Sequence, residues 1–404
     1  MKMLRFGYVT APLLGALWMV VLSVTIAIAM SFATGEAIRP SMLLSLFWGA
    51  VVGGLLLVLR QRTIWIGAAS GLVLIALIVG FGPLQIGPDT SLSTLLVAGI
   101  LLVASNAWSL RKICAGLPQA ALTRHEFEEA VIRFLTGFGY IFFTAIVLIP
   151  FYVMVMTSLK NQSELMQNPL DFAIDFSKGA ELFRSYNELF TQFNFGTYLF
   201  NSFFISVLTV SITLAFAIPG AYAAARLRFR GQAAFSRSIL LIYMVPMIVL
   251  ALPIYIAFSM TGLRNSFWGI VMIYPVTTIP VALYMLQGYF RGLPAEVEEA
   301  GLMDGLSRLA VIWKITLPLS LPALASVSLY VFMIAWNEFL LAFMLLDDPS
   351  KFTLTRGIAS LNSSEIPRQH LMAGAVVATV PIMALFLGLE RFMTKGLTAG
   401  SVKG

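Results

Sequence analysis

The sequence predicts an all-α fold, a polytopic bundle of about ten membrane-crossing helices, and three observations carry that prediction. Of the 404 residues, 59% are hydrophobic and only 11% are charged, against roughly 45–50% and 25% in soluble domains. Mean hydropathy is +0.89, which is more apolar surface than a soluble core can cover. The apolar residues also gather in stretches of about 18 or more, the length at which a helix crosses hydrocarbon while satisfying its own backbone hydrogen bonds.

In chain order these stretches lie at 11–31, 42–59, 63–80, 91–108, 134–156, 198–225, 239–258, 267–290, 319–345 and 371–389. The first follows "MKMLR", a flank typical of secretory leaders, but its apolar run of about 20 residues exceeds the roughly 7–15 of a leader. It is therefore read as a retained helix. Orientation follows from lysine and arginine, which avoid translocated loops. With the N-terminus in the cytoplasm, the inside segments hold 18 of the 26 basic residues. The net charge of +7 thus reads as topology, and nucleic acid is not an expected partner. The longest outside segment, about 159–197, mixes Lys160, Lys178 and Arg184 with Glu164, Asp171, Asp175, Glu181 and Glu188.

Reactive motifs are missing. The single cysteine, Cys114, permits no disulfide framework or thiolate cluster, and the two histidines, His125 and His370, lie far apart. The chain contains no G-x-x-x-x-G-K-[ST], no H-E-x-x-H and no G-x-S-x-G. The expectation is a non-enzymatic protein with no catalytic residues, no metal site and no cofactor of its own, energised by a partner.

Between the eighth and ninth stretches runs "EEAGLMDGLSRLAVIWKITLPLSLP", charged and punctuated by glycine. Pro294 suits a helix start, and the glutamates after it suit the positive end of the helix dipole. Asp304 is the expected cap of a second short helix over about Leu306 to Thr316. That helix spaces Leu306, Leu309 and Ile312 or Trp313 three to four residues apart, an apolar stripe on a segment too short for its own core. Ala300 and Gly301 keep the first helix slim enough for close approach by another surface.

The spacing Glu299-Ala300-Gly301, three residues, Gly305, nine residues, then Ile315-x-Leu317-Pro318 resembles the "EAA" loop of bacterial ATP-binding-cassette (ABC) importer permeases. Gly301 departs from that pattern, which has a second alanine there. "MTSLK", "NFGTYLFNSFFISV", "AARLRFRG" and "ERFMTKGLTAGSVKG" are similar to the carbohydrate branch, the maltose-importer type, so the resemblance covers about 134–404. It implies a permease domain over 134–404, six of the ten helices forming its core, with a coupling loop at 294–318. Residues 1–133 are then an extension of about four helices, joined through "ALTRHEFEEAVIRF" as a cytoplasmic linker helix.

The resemblance further implies a protein of the bacterial cytoplasmic (inner) membrane, with both termini cytoplasmic, that imports a sugar or sugar-like solute. Glu299, Ala300, Gly301, Asp304, Gly305, Ile315, Leu317 and Pro318 would seat on a cytoplasmic ATPase dimer holding ATP and Mg, with a second contact through Leu397, Thr398, Gly400 and Lys403. A second permease subunit, an extracytoplasmic solute-binding protein and membrane lipid complete the expected partners. The substrate path is assigned to Tyr330, Trp336, Asn337 and Glu338, which put aromatic faces and hydrogen-bonding groups inside the ninth stretch. Pro219, Pro246, Pro253, Pro275, Pro280 and Pro381 are expected to interrupt the later helices. The alternatives are an ion-coupled secondary transporter, against which the scarcity of intramembrane acids counts, and a membrane sensor or scaffold without transport.

Overall fold

The structure, a computed structural model, describes residues 5–58, 63–86, 90–168, 173–363 and 365–398. It parts into two compact units, Met1–Leu182 and Phe183–Gly404.

The first unit holds helices α1 (Gly7–Thr34), α2 (Met42–Val58), α3 (Thr63–Ile78), α4 (Leu92–Ile113), α5 (Arg124–Ser158) and α6 (Gln162–Gln167). α1 and α2 meet backbone to backbone. A Cβ on Gly49 would lie 2.3 Å from the Gly15 carbonyl oxygen, and one on Gly53 2.3 Å from that of Ala11. Small residues therefore set this approach, as membrane helix pairs require in the absence of a hydrophobic force between them. Trp18, Met19, Leu77, Leu102 and Leu110 form the core, and the Trp18 indole N–H donates to Ser109 Oγ at 2.5 Å. The α1–α2 and α3–α4 connections pair as short antiparallel strands, β1 (Ile38–Pro40) and β2 (Leu84–Ile86), with Ile38 opposite Ile86. Their irregular backbone is thereby hydrogen-bonded.

A capping box starts α5. Thr123 accepts from the Glu126 N–H, and the Glu126 carboxylate accepts from that of Thr123. The helix then runs 35 residues, about 52 Å at 1.5 Å per residue. The expected linker helix and the expected span 134–156 are thus one rod that passes residue 133 without a break.

The second unit comprises α7 (Arg184–Gln192), α8 (Phe195–Arg226), α9 (Gln232–Tyr243), α10 (Met247–Met260), α11 (Phe267–Gly292), α12 (Ala295–Met303), α13 (Arg308–Leu319), α14 (Leu321–Asn337), α15 (Leu340–Leu345), α16 (Leu354–Ser360) and α17 (Arg368–Thr398). Two apolar clusters divide its interior. One gathers Phe195, Tyr198, Tyr274, Trp336 and Leu341; the other gathers Ala217, Tyr222, Leu286, Phe290 and Val331. Along the α8–α11 contact the buried hydroxyls of Thr213 and Thr278 meet at 2.6 Å.

All ten expected spans fall on helix. Among the described residues six helices, α1, α4, α5, α8, α11 and α17, are long and apolar enough to cross a bilayer alone, and α13 with α14, bent by 81°, makes a seventh if the pair is one span. The others are short or interrupted. α2 and α3 have 17 and 16 residues, about 25 Å against about 30 Å of hydrocarbon. Span 239–258 breaks between α9 and α10, where Pro246 lacks the N–H that would continue the ladder. Span 319–345 breaks at Glu338 and Phe339. Of the six prolines expected to interrupt helices, Pro246 does; Pro219, Pro253, Pro275, Pro280 and Pro381 sit within continuous helices. Packed neighbours hold the axis where one backbone bond is lost.

Candidate functional site

Residues 294–318 form two short helices joined by a tight turn. Pro294 sits at the N-cap of α12, with Glu296 and Glu298 in its first turn. The helix ends in a Schellman motif: the Leu306 N–H reaches the Gly301 carbonyl at 3.1 Å, and the Gly305 N–H reaches that of Leu302 at 3.1 Å. Gly305 takes φ +84°, a left-handed conformation that glycine adopts without Cβ strain. Asp304 therefore ends the first helix, contrary to its expected place as cap of the second. Ser307 takes that role, its side chain accepting from the Ala310 N–H. α13 widens to π geometry over Ile312–Thr316.

Gly301 faces inward. A Cβ there would lie 2.5 Å from Ile315 Cδ1 and 3.4 Å from Leu306 Cδ1. The missing side chain thus lets the two helices of the loop close on each other, and the expected approach of an outside surface falls to Ala300, which is exposed. One helical turn earlier on the same face lies Glu298, which the sequence reading passed over. It is 6% exposed and accepts from Tyr222 Oη at 3.2 Å and Thr316 Oγ1 at 3.1 Å. Arg226 Nε stands 3.5 Å from the same carboxylate, while Arg226 Nη2 donates to the Leu293 carbonyl at 2.7 Å. Glu298 therefore ties both helices of the loop to the end of α8. The helical period carries this signal, because residues three apart share a face and Gly301 is the position that departs from the loop pattern.

Glu299, Asp304, Gly305 and Pro318 are exposed, and Ile315 and Leu317 are half-buried. Around them Val297, Met303, Leu309 and Trp313 present apolar side chains to the outside, Met303 at 87% exposure and Trp313 at 71%.

The expected substrate-path residues differ in exposure and in partners. Trp336 is buried, stacked on Phe332, and donates to the Ala378 carbonyl at 3.2 Å. Tyr330 and Asn337 are exposed, and Asn337 bonds back to the Met333 carbonyl. Glu338 accepts from the Leu341 and Ala342 N–H groups at 2.9 and 3.2 Å, so it caps α15 where the span breaks. Thr355 Oγ1 donates to its carbonyl at 2.6 Å. Beside this break, Arg356 lies over the rings of Phe343 and Phe352 at 4.6 and 4.4 Å with no ion pair among the described residues. Of the C-terminal residues, Leu397 and Thr398 end α17; Gly400 and Lys403 lie outside the described residues.

The described residues thus combine helices long and apolar enough to cross a membrane with a braced two-helix loop that exposes apolar side chains. The family model described as "Binding-protein-dependent transport system inner membrane component" matches residues 217–398. The chain is 36% identical to the inner membrane ABC transporter permease protein YcjP of Escherichia coli, over 66% of this chain and 95% of that one. It is 32% identical to the trehalose/maltose transport system permease protein MalG of Thermococcus litoralis, over 69% of this chain and 99% of that one. The trehalose transport system permease protein SugB of Mycobacterium tuberculosis is 35% identical over 55% and 82%. A solved bacterial ABC transporter that imports alginate shares the fold, with a TM-score of 0.57 at 23% identity, covering 67% of this chain and 98% of that one. The chain belongs to the permease family of binding-protein-dependent ABC transporters and is a multi-pass protein of the inner membrane.

Proposed function

We propose that this permease imports a sugar or sugar-like solute and that residues 294–318 receive the driving motion from a pair of cytoplasmic ATPases. The carrying observation is the loop itself: exposed apolar side chains on two helices that Glu298 clamps to α8. A push on Met303, Leu309 or Trp313 would pass through that clamp to a helix of the bundle. The solute class rests on the trehalose and maltose permeases among the relatives. Residues 134–404 are the permease domain in this reading and 1–133 an extension; the compact units divide instead between Leu182 and Phe183.

ATP and Mg belong to the ATPases, with Leu397, Thr398, Gly400 and Lys403 as their second contact. A second permease subunit and an external solute-binding protein complete the assembly, with both termini of this chain cytoplasmic. Tyr330 and Asn337 face the solute path, and Trp336 and Glu338 shape it from behind. Glu338 serves as a helix cap, which disfavours it as the cycling acid of an ion-coupled mechanism.

The test is solute uptake in cells carrying Gly305→Leu, alongside recovery of the co-purifying subunits in mild detergent. A leucine at φ +84° costs about 1–2 kcal/mol and distorts the turn. Uptake should fall to background while the permease stays in the membrane, and Glu299→Ala should weaken ATPase recovery. Undiminished ATP-dependent uptake by Gly305→Leu would end the coupling assignment.

A further inference from the structure

We infer that the first unit holds one anionic phospholipid in a groove between α1 and α5, its headgroup at Lys112 and an acyl chain along the two helices. The inference is independent of the transport reading.

Two adjoining cavities make up the groove. The first, about 680 Å³, is walled by Trp18 and Leu22 of α1, Trp108 and Lys112 of α4, and Arg133 and Thr136 of α5. The second, about 760 Å³, continues between α1 and α5 and ends at Phe32 and Tyr152. Both include Tyr140 and Ile141. The helical period joins them: Trp18, Leu22, Thr25 and Ala29 share one stripe of α1, and Arg133, Gly137, Ile141, Ala145, Leu148 and Tyr152 share one stripe of α5. From Phe138 to Tyr152 the second cavity runs about 21 Å by the helical rise, longer than the roughly 15 Å of one leaflet's hydrocarbon. It can take an acyl chain along its whole length.

The two ends differ as the two ends of a phospholipid do. At the far end the lining is valine, isoleucine, leucine and aromatic rings, and the Tyr152 hydroxyl is turned away to the Phe32 carbonyl at 2.9 Å. At the near end Lys112 Nζ stands 3.7 Å from the Trp108 ring centroid and makes no ion pair among the described residues. The exposed Thr136 hydroxyl makes no hydrogen bond among them either. Arg133 is committed to the Ala115 carbonyl and Glu129, each at 2.6 Å; it adds positive potential without offering a vacant fork. Trp108, 67% exposed, is the aromatic type that marks the membrane boundary. An unpaired ammonium and a hydroxyl at the boundary, opening into an apolar trough, complement a net-negative phosphodiester more than a zwitterionic one.

The test uses the full-length chain, delipidated in mild detergent and offered phosphatidylglycerol or phosphatidylcholine of identical acyl chains, with retained lipid counted by native mass spectrometry. One phosphatidylglycerol per chain should be retained, at about five-fold over phosphatidylcholine, the preference expected for one well-placed lysine. Lys112→Ala should abolish the preference, Lys112→Arg should keep it, and Arg39→Ala, at the other end of α1, should leave it unchanged. Ala145→Trp should fill the trough and lose both lipids; Lys112→Ala, at an exposed side chain, decides if that variant folds poorly.

Equal retention of the two lipids, or a preference indifferent to Lys112→Ala, overturns the inference. So does displacement of the lipid by millimolar glycerol phosphate, which would mark a soluble anion as the ligand. Crosslinking of Leu148→Cys to another protein chain in the intact assembly, with no lipid retained, overturns it in favour of a protein occupant.

Discussion

The two units solve helix packing in different ways. In the first, α1 and α2 touch backbone to backbone at Gly15, Gly49 and Gly53, the hydroxyls of Ser23 and Ser45 are the buried polar contact between them at 2.8 Å, and an apolar cluster fills much of the rest. In the second, the long α8 buries Asn201, Ser202, Ser206, Thr209 and Thr213, and its neighbours are interrupted at Pro246, Ser320 and Glu338. Ser206 and Thr209 make no side-chain hydrogen bond among the described residues although buried. Backbone contact of the first kind has one register, because any slide brings Cβ atoms into carbonyls. A hydroxyl-lined face has several arrangements of similar energy, since each interhelical hydrogen bond between membrane helices contributes only about 0.6 kcal/mol.

The largest test of that contrast is Glu298→Ala. Removing the carboxylate leaves Arg226 14% exposed without its charge partner, and breaking a buried pair costs about 3 kcal/mol or more. Thermal unfolding of the purified protein should show it, whereas Glu299→Ala, at an exposed position, should change stability by less than about 0.5 kcal/mol. If the two glutamates behave alike, the clamp is not what holds the loop. Next in size is Gly49→Ala in the first unit. Its Cβ meets backbone 2.3 Å away, so the helices must separate, at about 2 kcal/mol. Gly54→Ala, whose Cβ has its nearest neighbour at 3.6 Å, should instead stabilise by about 0.5–1 kcal/mol through helix propensity.

Composition and run length made the all-α membrane fold legible, and the glycine and proline spacing made the two-helix loop over 294–318 legible, because both signals are local. What stayed hidden depends on contact. Glu298 and Glu299 are adjacent and chemically identical in the sequence; the turn of α12 alone decides which is clamped. Ser307 displaced Asp304 as the cap because Gly305 spends a residue on reversing the chain. The break at Glu338 falls in "AWNEFLLAF", which has neither proline nor glycine. Fusion of the linker with the fifth span was hidden too, although residues 124–136 contain neither glycine nor proline. The α1–α5 groove is a product of two helices more than a hundred residues apart, beyond the reach of any periodicity.

A smaller effect concerns the anchoring of α7. The Glu188 carboxylate accepts from Arg184 Nε at 2.7 Å and lies 2.6 Å from His370 Nε2 on α17. Arg184 first, and His370 after it, hold the Glu188 carboxyl below its usual range, with burial opposing. A lowered folded pKa stabilises the contact above the unfolded value of about 4.3, and that stability is lost as pH falls through the folded value. Hydrogen exchange across 184–192, corrected for intrinsic rate, should show protection unchanged from pH 7 to 5 and lost below about pH 4. Glu188→Gln should lack much of that protection already at pH 7. Equal protection at pH 7 and pH 3 would make the apolar contacts of Leu189 sufficient and the charge incidental.

The smallest change expected is in Cys114, which reports on how closed the first unit is. It sits just past α4, 3% exposed, and burial pushes its thiol up to about 12. Since the thiolate is the reactive form, at pH 8 its population is roughly a thousand-fold below that of a thiol at the ordinary value near 9. The unmodified chain should therefore resist maleimide for hours under native conditions and react within minutes once unfolded. Gly49→Ala sharpens the comparison. If the glycine contacts seal the unit, prying α1 from α2 should expose Cys114 and speed its labelling, while Glu298→Ala in the other unit should leave the rate where it was.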